Sequence, residues 1–69
     1  MGREGAIEVE GVVIATLSDL LFRVELANGH QLLGHVARRF QAKAEGLKAG
    51  DKVNLRLSPY DLSKGAIEF

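Results

Sequence analysis

The run "FRVELANGHQLLGHV", residues 22–36, constrains this chain most, because an Asn-Gly pair there divides two segments of alternating apolar and polar residues. Period-two alternation puts one side-chain set on each face of a strand, so Phe22, Val24 and Leu26 mark one half-buried strand and Leu32 and Val36 mark another. Joined through Asn28-Gly29 they form a hairpin, and its register decides which side chains reach the core. A two-residue turn sets Leu26 against Gln31 and Phe22 against His35, which mixes polar residues into the core series. A three-residue loop, Ala27 to Gly29 with the glycine left-handed, sets Leu26 against His30, Val24 against Leu32, Phe22 against Gly34 and Leu20 against Val36. Only the second keeps the apolar set together, and it is the predicted register. It leaves Arg23, Gln31, Leu33 and His35 on the outer face and His30 at the hairpin mouth on the opposite side.

Three further alternating runs accompany this hairpin. The first spans Ala6 to Thr16 and is interrupted by Gly11, where a strand can bend or carry a bulge and so serve two sides of a barrel. The two hairpin strands cover Leu20 to Leu26 and Gln31 to Val36. The next, "KVNLRLS", turns Val53, Leu55 and Leu57 inward, and a short last strand covers Ala66 to Phe69. Before it lies a loop, "SPYDLSKG", in which Pro59 and Asp61 form the turn and Gly65 can supply a positive φ. Between the third and fourth strands, Val36, Phe40, Ala44 and Leu47 recur at helical spacing among strong helix formers. This predicts a helix over Arg38 to Glu45 with Phe40 and Leu47 as core packing, ended by Gly46 and followed by a Gly50-Asp51 turn. The order strand, strand, strand, helix, strand, strand predicts an all-β fold. It is a five-stranded OB-fold Greek-key barrel with one short helix between strands 3 and 4, one domain over residues 1–69. An SH3-like barrel accommodates that helix less well. Phe22, Val24, Leu32, Val36, Val53, Leu55 and Leu57 are the expected core.

Nine Lys and Arg side chains balance nine Asp and Glu, which argues against a generic polyanion binder. The distribution is uneven. Residues 1–10 set Arg3 against Glu4, Glu8 and Glu10, whereas residues 30–52 set Arg38, Arg39, Lys43, Lys48 and Lys52 against Glu45 and Asp51. A neutral chain can therefore present one basic face. There is no cysteine, hence neither disulfide nor thiolate ligand. The start "MGREGA" has no apolar leader and lacks the Ser or Thr of a myristoylation signal, and no apolar run reaches membrane-spanning length. A cytoplasmic, soluble, monomeric protein is expected.

Because His30 and His35 point to different faces and no third ligand lies near in sequence, a shared metal is not expected. Nor is there a nucleophile elbow, a Walker loop or a carboxylate pair flanking a cleft, so neither enzyme activity nor a cofactor is expected. Both histidines read as surface hydrogen-bonding groups, with His35 on the face of strands 2 and 3 that OB folds use for oligonucleotides. The "SPYDLSKG" segment adds an aromatic, Tyr60, and a cation, Lys64, the pair that single-stranded nucleic-acid binding combines.

"FRVELANGH", "GHV", "GDKV" and above all "SPYDLSKGAIEF" resemble bacterial translation initiation factor one, from about Ile7 to Phe69. The resemblance implies an OB-fold RNA binder without catalytic activity. It implies binding at the A site of the small ribosomal subunit, through ribosomal RNA and a ribosomal protein, beside the other initiation factors. The family's pattern is matched at Arg23, His30, His35, Arg39, Tyr60 and Lys64, and Arg38 and Lys43 join them on charge as candidate RNA-binding residues. It departs at Gln41, Ala44, Gly46 and Ala66, where the family carries basic or aromatic residues, and in the absence of a basic tail after Phe69. Two other readings stand beside it. A general single-strand binder of the cold-shock kind would carry repeated surface aromatics that this chain lacks. A protein-binding or scaffold barrel is favoured by the lost arginines and opposed by Tyr60, Lys64 and Arg39.

Overall fold

The computed structural model describes residues 7–69, so Arg3, Glu4 and Ala6 lie outside the described residues. Five strands, β1 (Ile7–Ser18), β2 (Leu21–Leu26), β3 (Gln31–His35), β4 (Lys52–Ser58) and β5 (Asp61–Glu68), close a barrel in the order β1-β2-β3-β5-β4. All pairings are antiparallel except β3 with β5, which is parallel. This is the Greek-key arrangement of an OB fold.

The hairpin has the predicted register. Phe22 faces Gly34 and Val24 faces Leu32. The Leu26 N–H donates to the His30 carbonyl at 2.8 Å, and Gly29, with φ +88°, donates its N–H to the Leu26 carbonyl at 2.9 Å. Glycine takes that left-handed conformation without a Cβ clash. The pairing continues past the strand end, where the Val36 N–H donates to the Leu20 carbonyl at 2.9 Å.

β1 does serve two sides. Ile7 to Val12 pair with β4, while Gly11 to Ser18 pair with β2, so Gly11 and Val12 pair on both sides. The register shifts fall at Val13/Ala15 and Thr16/Ser18 rather than at Gly11. Those shifts let β1 keep pairing as far as Ser18, beyond the expected end at Thr16.

All seven expected core residues are buried, together with Val13, Ala44 and Ile67. The connection after β3 begins as a 3-10 turn, Arg38–Phe40, and continues as a short helix, α1 (Gln41–Ala44). It stops one residue short of Glu45. The Gly46 N–H donates to the Lys43 carbonyl at 3.2 Å without a positive φ, whereas Gly50, at φ +101°, makes the turn into β4. Ala44 is buried, and Phe40 and Leu47 pack part-buried against the core.

The last strand is longer than the sequence predicts, and the expected "SPYDLSKG" loop is mostly strand. Only Pro59 and Tyr60 turn, Ser58 pairing at once with Asp61. Asp, Ser, Lys and Gly are weak strand formers, but β5 is held on both sides and tertiary pairing overrides propensity. Lys64 to Ala66 pair with Leu33 to His35, while the β4 ladder resumes at Gly65 opposite Leu57. Gly65 takes no positive φ. Its lack of a side chain serves close approach instead, since a Cβ there would collide with the Leu57 side chain.

Candidate nucleic-acid interface

Register places the candidate residues. On the outer face of β2, β3 and β5, Arg23 lies beside Leu33, and Leu33 beside Lys64. One step along, Leu21 lies beside His35 and His35 beside Ala66. Arg23, His35 and Lys64 therefore share one side of the barrel.

That side continues into a groove lined by His35, Ala37, Arg39, Phe40 and, from the end of β5, Ala66 to Phe69. The rings of Phe40 and Phe69 meet with centroids 5.6 Å apart and planes inclined at 48°. The Arg39 guanidinium lies 5.0 Å from the Phe40 centroid, and the Lys43 ammonium lies 5.8 Å from Phe40 and 5.9 Å from Phe69. Both cations are held over aromatic faces while staying exposed, a geometry that orders them without burying their charge. Arg38 turns away and borders a separate depression with Ser18, Asp19, Leu20 and Gln41.

His30 is tied to the opposite end of the hairpin. Its N–H donates to Asn28 Oδ1 at 2.9 Å, and its ring Nε2 lies 2.9 Å from the Leu62 carbonyl, linking the hairpin mouth to the start of β5. A donating Nε2–H is the tautomer this contact requires. The two imidazoles do not converge, and among the described residues no three His, Cys, Asp or Glu side chains are placed to share a metal ion.

Tyr60 projects from the β4–β5 turn with 95% of its surface exposed, and its N–H donates to Ser58 Oγ at 3.1 Å. Next to it, Asp61 accepts hydrogen bonds from the Ser63 hydroxyl and the Ser63 N–H. These bonds, the hydroxyl first, hold the Asp61 carboxyl below its ordinary value against an opposing desolvation, and the nearby Lys64 charge adds a lesser pull in the same direction as the bonds. Lys64 Nζ is 4.0 Å from Asp61, loose enough for the ammonium to remain available to a phosphate.

Helical spacing assigns Phe40 wholly to the core, and no pattern in the sequence gives Phe69 a role. Strand alternation does put Phe69 on the same side as Ile67, at the barrel end that the helix closes. That is the signal from which the aromatic pair can be found. The assembled surface offers four cations (Arg23, Arg39, Lys43 and Lys64), the His35 imidazole and one paired aromatic platform, while the Tyr60 ring stands exposed on the β4–β5 turn.

The family model described as translation initiation factor 1A / IF-1 matches residues 3–69. The solution structure of a translation initiation factor of the same kind, from the Wolbachia endosymbiont strain TRS of Brugia malayi, is similar, with a TM-score of 0.71 and 36% identity. It matches over 94% of this chain and 77% of that one. The crystal structure of YjeQ from Thermotoga maritima shares the fold, with a TM-score of 0.66 and 23% identity over 91% of this chain and 22% of that one.

Proposed function

The chain belongs to the translation initiation factor 1A / IF-1 family, and on that premise we propose that it acts by binding RNA of the small ribosomal subunit at the decoding A site. A neighbouring ribosomal protein and the other initiation factors would be its companions there. The observation that carries this reading is the continuous outer surface of Arg23, Lys64 and His35 running into the Arg39, Lys43, Phe40 and Phe69 groove. Cations interleaved with π faces suit a single-stranded or locally opened RNA, whose phosphates and bases are both accessible.

The residues of that surface divide the work in this proposal. Arg39, Lys43 and Lys64 neutralise phosphates, Arg23 and His35 hydrogen-bond, and Tyr60 stacks on a base, whereas Arg38 and His30 stand apart from the surface. The whole of residues 1–69 works as one monomeric, cytoplasmic domain that acts by occupancy rather than by chemistry, without a cofactor. No helix among the described residues is long and apolar enough to cross a membrane.

The test is equilibrium binding to isolated small subunits at about 50 and about 200 mM salt, beside a random single-stranded RNA of matched length. Specific binding that weakens with salt and exceeds the random RNA supports the proposal. Equal binding to both supports the general single-strand reading, and no binding to either leaves a scaffold.

A further inference from the structure

A second surface lies on the other side of the barrel, where β1 passes its pairing from β4 to β2. Gly11 and Val12 are its pivot, each paired on both sides. An open groove remains there, lined by Glu10, Gly11, Val12, Glu25, Leu26, Ala27 and Lys52. Its floor is apolar, with Val12 and Leu26 only part-buried and Ala27 exposed.

Its electrostatics are the reverse of the opposite face. Four carboxylates, Glu8, Glu10, Glu25 and Glu68, stand on this side or at its margins. Arg56 engages two of them, Glu68 at 2.9 Å and Glu8 at 3.3 Å. Glu10 and Glu25, the two that line the groove, have no ion-pair partner among the described residues. Lys52 is separated from Glu25 by Val12, which sits between them across three strands. With Lys52 the one cation of the described lining, the two carboxylates leave the groove net negative, and flanking an apolar floor they disfavour phosphate and attract a cation that carries an aliphatic neighbour.

We propose that this groove docks an extended basic segment of another protein. One aliphatic side chain would seat on Val12, Leu26 and Ala27, and Lys or Arg side chains two residues to either side, on the same face of the extended segment, would reach Glu10 and Glu25. Charge complementarity selects the occupant. A nucleic acid would bring phosphates against both carboxylates, and a second copy of this chain would have to offer its basic face, which is built around aromatic rings rather than an aliphatic anchor. The barrel thus has two faces of opposite preference, which orients it between an RNA and a basic protein.

The experiment is a titration of the ¹⁵N-labelled full chain with a blocked Lys-Ser-Leu-Ser-Lys peptide, which puts both lysines and the leucine on one face when extended, with Glu-Ser-Leu-Ser-Glu and a single-stranded RNA as parallel probes. The basic peptide should shift the amides of residues 10–12 and 25–27, and the acidic peptide should not. Exposed ion pairs contribute modestly, so Glu10→Gln with Glu25→Gln should weaken the peptide about three- to tenfold, and Glu10→Lys with Glu25→Lys should abolish it. Unchanged melting temperatures establish that both variants are folded. Peptide shifts elsewhere, peptide affinity indifferent to the double substitutions, or RNA shifting the same amides would each overturn the proposal. None of these results depends on whether the opposite face binds ribosomal RNA.

Discussion

Single residues on the β4–β5 turn divide cleanly between holding the turn and facing outward. Asp61 holds it, accepting from both the Ser63 hydroxyl and the Ser63 N–H. Because its folded pKa lies below its unfolded value, the stabilisation it provides is fully present above the ordinary carboxylate range. It is lost as pH falls through the folded value. The Ser63 amide resonance, followed by NMR from pH 7 to pH 2, should therefore titrate with a midpoint below the ordinary aspartate value of 3.8. A midpoint at or above it would mean the Ser63 bonds do not favour the charged form in solution. Tyr60, one residue away, does the opposite job. With 95% of its surface exposed it contributes almost nothing to packing. Tyr60→Ala should leave the melting temperature unchanged while costing about 1–3 kcal/mol of RNA affinity, and Tyr60→Phe should retain both, because a base stacks on the ring rather than on the hydroxyl. Parallel losses of stability and affinity in Tyr60→Ala would return the ring to a structural role.

Elements are legible where the apolar alternation is unbroken and obscure where tertiary pairing imposes a strand on turn-forming residues. The β2–β3 hairpin can be read to the residue, because a one-position slip would expose Phe22, Val24 and Leu32 together. β5 cannot. Its first half, "DLSK", carries no alternation, and all four residues are exposed. What makes it a strand is the contact of Lys64 with Leu33 across the parallel seam, a pairing no local pattern encodes. For the same reason Gly65 reads as a turn residue in the sequence, whereas the fold uses it as a place where β5 crosses close over Leu57. Two glycine substitutions separate these uses. Gly65→Ala must displace the buried Leu57 side chain, and overpacking of that kind should cost about 1–3 kcal/mol in denaturant unfolding. Gly46→Ala meets only the Lys43 carbonyl, at an ordinary 3.6 Å, with no positive φ to strain. It should be neutral or stabilise by about 0.4–1 kcal/mol through the unfolded chain. The candidate site is legible in the same uneven way. Arg23 and His35 follow from the hairpin register, but Lys64 reaches their face only through the parallel seam, and the Phe40–Phe69 platform depends on where the barrel end meets the helix.

For the whole molecule, net charge near zero conceals a division between a basic, aromatic face and an acidic, aliphatic one. Binding of RNA is therefore set by local rather than total charge. Ala66 bears on this directly. The family carries an arginine there, and in this barrel Ala66 lines the groove between His35 and Glu68. A neutralised phosphate adds about 0.7 to the logarithmic salt slope on single-stranded nucleic acid, which is the full increment open to Ala66→Arg. Glu68 stands two residues on, on the same outward face of β5, and already binds Arg56 at 2.9 Å. A guanidinium at position 66 would share that carboxylate and lose part of its effect. Ala66→Arg alone should therefore steepen the slope of small-subunit binding by clearly less than about 0.7, and Ala66→Arg combined with Glu68→Gln should approach it. The Glu68→Gln single variant supplies the baseline, since neighbouring charges are not additive. If Ala66→Arg alone reaches the full increment, Glu68 does not restrain the groove. If neither variant moves the slope, the missing charge is not what governs RNA binding, and the aromatic platform of Phe40 and Phe69 carries the affinity instead.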